Sequence, residues 1–168
     1  MKILFGIQGT GNGHLSRSKI VISHLKKHNI DVDVLISGRK KEDLWGTEEL
    51  GQFQNKEGFT FSVNSGKIDK YQTIKNSNIL KFIKDVRELD LSPYELVITD
   101  YEPITAWAAF FKKKISIGLS HQCSFFYDFP QNVSYIKKFL IKWFVPVEIP
   151  IGLHWYHFNQ IILPPIIP

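Results

Sequence analysis

The run Gly9-Thr10-Gly11-Asn12-Gly13-His14 puts an ionisable imidazole at the end of a glycine-rich turn, just before a helix-like stretch that starts near Leu15. Glycines in such a turn accept positive φ and let a ligand approach the backbone. The helix behind it aims free N–H groups and the positive end of its dipole at whatever occupies the crevice. An anion, most often a phosphate, is the natural occupant, and a neutral imidazole beside it can accept a proton near pH 7. Two more segments hold comparable groups, Thr99-Asp100-Tyr101-Glu102-Pro103 and Ser120-His121-Gln122. Asp100 is placed equally well to orient a histidine or to cap the helix that Pro103 opens. His121 reads either as a site residue or as a satisfied structural histidine.

All three segments follow predicted strands. Lys2 to Ile7 is the first strand and Leu15 to His28 the first helix, with Val21, Ile22 and Leu25 as its apolar stripe. Asp31 to Ser37 is a strand apolar on both faces, and Leu44 to Leu50 a short helix. Phe59 to Val63 alternates as a third strand before a turn at Asn64-Ser65-Gly66. Ile79 to Leu89 has helical periodicity, with Lys81, Lys84, Asp85 and Glu88 facing outward. Glu95 to Thr99 and Ile115 to Leu119 are further strands; between them, the helix from Pro103 to Phe111 is apolar nearly all round and should be well buried. Val133 to Val145 reads as a basic, aromatic helix and Ile151 to Phe158 as a last strand. The expected architecture is α/β: a Rossmann-like, mostly parallel sheet with helices on both faces. Ligands of such sheets gather at the carboxyl ends of the strands, which is where the three segments fall.

The glycine turn has look-alikes. A dinucleotide fingerprint wants a small residue where His14 stands, and an acid after the second strand where the sequence has Ser37-Gly38-Arg39. Arg39 could face a 2′-phosphate, so an NADP-binding oxidoreductase domain stays open. A P-loop needs Gly-Lys-Ser/Thr, which is absent. A plain structural turn with His14 capping the helix also stays open.

The glycine–histidine loop, Thr99 to Pro103, Ser120-His121-Gln122 and the closing Ile162-Leu163-Pro164-Pro165-Ile166-Ile167 together resemble the MurG-like GT-B glycosyltransferases over essentially all 168 residues. Asn12, sitting among the glycines, makes the loop a variant of the family's G-G-T-G-G-H form. The resemblance implies one half of a GT-B fold: residues 1–161 as the N-terminal, acceptor-binding domain and 162–168 as the start of an interdomain linker. It implies an inverting transfer of sugar from a nucleotide-sugar donor, a UDP-sugar, to a hydroxyl acceptor that can be lipid-linked. His14 is then the first candidate for the base, with the helix N-terminus favouring its neutral form. Asp100 would orient it or hold a sugar hydroxyl. Gly9, Thr10, Gly11, Asn12, Gly13, His121 and Gln122 would line the acceptor and diphosphate site. No metal and no tightly bound cofactor are expected. The donor would be held mainly by a C-terminal domain, in cis or as a separate chain, and the isolated chain would be inactive.

Composition is that of a globular domain: 43% hydrophobic, 22% charged and 14% aromatic, with net charge +5. That mild excess favours phosphates or anionic lipid without identifying a nucleic-acid binder. The single cysteine, Cys123, cannot pair internally and reads as a small buried hydrophobe. No signal peptide or membrane span is expected, which with the resemblance implies a cytoplasmic protein, peripheral on the inner face of the membrane. The helix from Val133 to Val145 carries Ile136, Phe139, Leu140, Trp143 and Phe144 beside Lys137, Lys138 and Lys142. Such a helix either packs its stripe into the core or lies in a membrane interface, with the three lysines and Trp143 as contacts. A membrane-associated scaffold without catalysis is the other open reading.

Overall fold

The computed structural model describes residues 1–58, 63–64, 67–68, 79–127 and 133–167. Strands β1 (Lys2–Gln8), β2 (Asp31–Ser37) and β3 (Phe53–Lys56) form one side of a seven-stranded sheet. A small antiparallel pair, β4 (Val63–Asn64) and β5 (Lys67–Ile68), stands apart from it. The other side is β6 (Leu96–Asp100), β7 (Ser116–Ser120), β8 (Ile149–Leu153) and β9 (Ile162–Leu163). The strand order is β3-β2-β1-β6-β7-β8-β9, and every pairing within it is parallel. The order reverses between β1 and β6, so the crevice outside their carboxyl ends is the switch point where such sheets bind ligands. Gly9 follows β1 and Asp100 ends β6, which puts both at that crevice.

Helix α1 (Asn12–Lys27) covers one face, where Leu15 and Ile22 pack on Ile3, Phe5, Ile7, Val34 and Ile36. Helices α2 (Ile79–Glu88) and α3 (Pro103–Lys112) cover the other, with Val86, Ile104, Ala108 and Ala109 against Leu4, Leu35 and Val97. Strict alternation of β1 between these two layers explains its continuous apolar run. Gly6 is the exception on the second face: a Cβ there would lie 2.1 Å from Thr105 Oγ1, so only glycine lets α3 approach so closely.

Several elements differ from the sequence expectation. Residues 59–62 of the expected third strand, and Ser65-Gly66 of its turn, lie outside the described residues. The strand that pairs with β2 is Phe53–Lys56, an edge strand, and an edge does not require apolar residues on both sides. In place of a helix from Leu44 to Leu50 there are two 3₁₀ turns, Lys41–Asp43 and Glu48–Leu50, separated by Gly46 at φ 64°. The last long strand is Ile149–Leu153 and stops before the aromatic run that was expected to continue it. Ile162–Leu163 then adds a short parallel strand ahead of the prolines. Asp85 does not face out: it is buried and paired with Lys56 Nζ at 3.0 Å. Helix α3 is buried along one side only, because Phe110 and Phe111 are exposed.

Candidate active site

Gly11 is the N-cap of α1, in an extended conformation with no side-chain cap, so Asn12, Gly13 and His14 form the helix's first turn. This removes the capping reading of His14. It also changes the role of the glycines, since none of Gly9, Gly11 and Gly13 has positive φ. Gly9 is needed for close approach: its N–H donates to the Ser37 carbonyl at 2.7 Å, and a Cβ would meet that oxygen at 3.0 Å. At Gly13 a Cβ would meet nothing within 4 Å, so that side of the first turn is open, while the His14 N–H donates to the Gly11 carbonyl at 3.1 Å. Arg39 braces the loop by donating to the Thr10 carbonyl at 2.8 Å and to Asn12 Oδ1 at 3.1 Å. The side chain that an NADP site would turn to a 2′-phosphate is therefore occupied by the loop itself.

Across the crevice, Asp100 is buried to 1% exposure and gathers three side chains of α1. His14 Nδ1 lies 2.8 Å from Oδ1, Arg17 Nε donates to Oδ2 at 2.7 Å, and Ser18 Oγ donates to Oδ2 at 3.1 Å. Arg17 Nη2 also donates to Oδ1 and stands 2.6 Å from His14 Nδ1. These contacts leave Nδ1 between an acceptor and a donor: a protonated Nδ1 donates to Asp100 Oδ1, whereas a bare Nδ1 accepts from Arg17 Nη2. In the first arrangement Nε2 keeps its lone pair and can accept a proton. Asp100 caps nothing: the N-cap of α3 is Glu102, whose carboxylate accepts from Ile104 N and Thr105 N.

Glu102 is fully buried, and burial pushes its carboxyl up while bonds from Ser37 Oγ, the Thr105 hydroxyl and two backbone N–H groups pull it down. Its role is to tie β2, β6 and α3 together directly beneath the crevice. Tyr101, between Asp100 and Glu102, takes φ 57°, which sends the two carboxylates to different layers of the fold.

His121 sits at the end of β7, and its Nδ1–H donates to the Leu153 carbonyl at 3.0 Å. It stacks beside His154, with ring centroids 6.0 Å apart. The two imidazoles line a pocket of about 220 Å³ with Arg17, Trp155, Pro165 and Ile166. Gln122 turns inward, and its Oε1 is buried without a hydrogen-bond partner among the described residues. Cys123 is buried as expected, and burial pushes its thiol up to about 11, which removes it as a nucleophile at neutral pH. Among the described residues no group of three or more His, Cys, Asp or Glu side chains could hold a metal ion.

Arg17 and Ser18 were missed in the sequence. Their signal was spacing: three and four residues beyond His14, they share its helical face. Trp155 and His154 carried no signal, because only the pairing of β7 with β8 brings them to His121.

The parallel sheet, its switch point and the loop–helix–aspartate crevice define the class as a Rossmann-like half of a GT-B fold. Residues 1–142 match the family model described as Glycosyl transferase family 1, and the chain belongs to that family. The fold is also that of MurG from Acinetobacter baumannii, with TM-score 0.53 and 10% identity over 97% of this chain and 44% of that one. A Listeria monocytogenes protein described as a UDP-N-acetylglucosamine 2-epimerase has TM-score 0.52 and 9% identity, over 90% of this chain and 39% of that one. The chain thus spans less than half the length of both. Since a transferase and an isomerase share the architecture, these likenesses show the fold alone. No curated protein matches the chain.

Proposed function

We propose that this chain is the acceptor-binding half of an inverting glycosyltransferase and that His14 is its base. His14 Nε2 takes the proton of an acceptor hydroxyl as that oxygen attacks the anomeric carbon of a UDP-sugar. The bond from that carbon to the diphosphate breaks, and UDP leaves with the electron pair. Asp100 holds the imidazole in the accepting tautomer and offsets the charge it gains. The observation that carries the reading is the 2.8 Å contact between His14 Nδ1 and buried Asp100, at the open end of the glycine loop. Thr10 to Gly13 present backbone N–H groups to an acceptor diphosphate, and His121 lines the far wall of the crevice. The test is sugar transfer by the complete protein with and without the His14 imidazole.

The family match and the fold leave the NADP reading supported only by two glycines. In this reading the donor is held mainly by a C-terminal domain, in cis or as a separate chain. Residues 1–168 alone are accordingly expected to show no heat of binding with UDP or UDP-sugars at micromolar concentrations in calorimetry. Micromolar affinity would move the donor site onto this half.

The acceptor side is proposed to face an anionic membrane, at its cytoplasmic surface. Helix α4 (Tyr135–Phe144), capped by Ser134, buries only Ile141 and Phe144; Ile136, Phe139, Leu140 and Trp143 stay exposed. The stripe therefore does not close into the core. Beside it, Trp107, Phe111, Trp143 and Pro103 help to line a wholly apolar groove of about 330 Å³. The same helix carries Lys137 and Lys142, whose ammonium groups lie over the Phe125 and Phe126 rings, and Lys138, which donates to the Tyr127 carbonyl at 3.2 Å; a basic, aromatic helix of this kind suits a membrane interface. No helix among the described residues is long and apolar enough to cross a membrane. Each interfacial lysine contributes about 1 kcal/mol near an anionic surface, so replacing all three by glutamate should lower liposome binding by at least about 100-fold. Co-sedimentation with phosphatidylglycerol vesicles that is unchanged in the triple variant would remove the membrane contact.

A further inference from the structure

We propose that the pocket between Arg17, His121 and Trp155 is a subsite for one pyranose ring of the acceptor, with the Trp155 indole as its stacking platform; this rests on the glycosyltransferase reading above. Trp155 is 80% exposed at the lip of the pocket and makes no ring contact with the described residues. An indole left in water beside a polar pocket offers a flat apolar face with nothing on it. A pyranose presents the matching surface, an apolar C–H face surrounded by hydroxyls that both donate and accept.

The rest of the pocket supplies partners for that hydroxyl rim. Arg17 uses Nε and Nη2 on Asp100, which leaves Nη1 as a donor for a ligand. His121 gives its Nδ1–H to Leu153, so its neutral ring keeps an acceptor at Nε2. Pro165 and Ile166 close the apolar side. The volume of about 220 Å³ suits a single ring and is small for a nucleoside diphosphate. The one cation of the pocket, Arg17, is already neutralised by Asp100, so a polyanion is not what it recognises. Arg17 also joins the pocket to the base, because the carboxylate that it grips is the one holding His14.

The test follows the four indole resonances of the ¹⁵N-labelled chain, assigned by single Trp→Phe changes. The probes are methyl β-D-glucopyranoside, methyl β-D-galactopyranoside and methyl N-acetyl-β-D-glucosaminide at up to tens of millimolar. At least one should shift Trp155 saturably and leave Trp45 unmoved, since Trp45 is similarly exposed at 78% but lines no such pocket. In the complete protein, Trp155→Ala should raise the acceptor KM about tenfold with kcat held within about twofold, as expected for loss of one stacking contact. No saturable shift with any glycoside, or a shift produced by UDP in their place, overturns the subsite. Because the indole readout needs no turnover, it fails or succeeds independently of whether His14 is the base.

Discussion

His14→Ala in the complete protein should lower turnover by about 10²–10⁴-fold, the usual contribution of a positioned general base. The fold should survive the change. His14 is not the helix cap, and Asp100 keeps Arg17 and Ser18 when the imidazole is gone, so the loss of one hydrogen bond should cost about 1 kcal/mol or less. Acceptor affinity should change little, because the N–H groups of the glycine loop are untouched. The measurement is kcat and thermal stability on the same preparation. A stable variant with undiminished turnover would dismiss His14 as the base and move that role to His121, whose acceptor nitrogen lines the same crevice.

Asp100→Asn should lower turnover as much as His14→Ala does, and should be the more damaging to stability. The amide keeps the shape and can still accept at one atom. It also brings two donors to a position where Arg17, Ser18 and His14 already supply four hydrogen bonds. His14 then loses its reason to hold the proton on Nδ1, and the tautomer with a bare Nε2 is no longer favoured. Arg17, largely covered, loses its counter-charge, which typically costs about 3 kcal/mol at a buried pair. Turnover per folded molecule should fall about 10²–10⁴-fold, the whole of the base's contribution. Enzyme assays well below the midpoint of unfolding separate the two effects. If the folded fraction alone accounts for the lost activity, Asp100 holds the fold and does not position the base.

Both predictions depend on residues that the chain keeps far apart. His14 and Asp100 are visible in the sequence as polar residues after strand-like runs, and the rule that ligands gather at strand ends is enough to put them on one rim. Their 2.8 Å contact is not visible there, since it needs the parallel pairing of Ile7 with Asp100 and the rotation of α1. Arg17 illustrates the boundary. Its spacing from His14 follows from helical geometry, but its partner does not. Phe53–Lys56, Asp85 and Phe110-Phe111 illustrate the converse, because local periodicity cannot say whether a face will meet water or another element. The strand–loop–helix alternation, the parallel sheet and the location of the crevice were determined by the sequence alone, because apolar periodicity and glycine placement act over a few residues. Which loop glycine is sterically required, which groups meet at His14 Nδ1, and how the α4 stripe stays exposed were decided only by tertiary structure. Each of these depends on an atom contributed by a distant strand or helix.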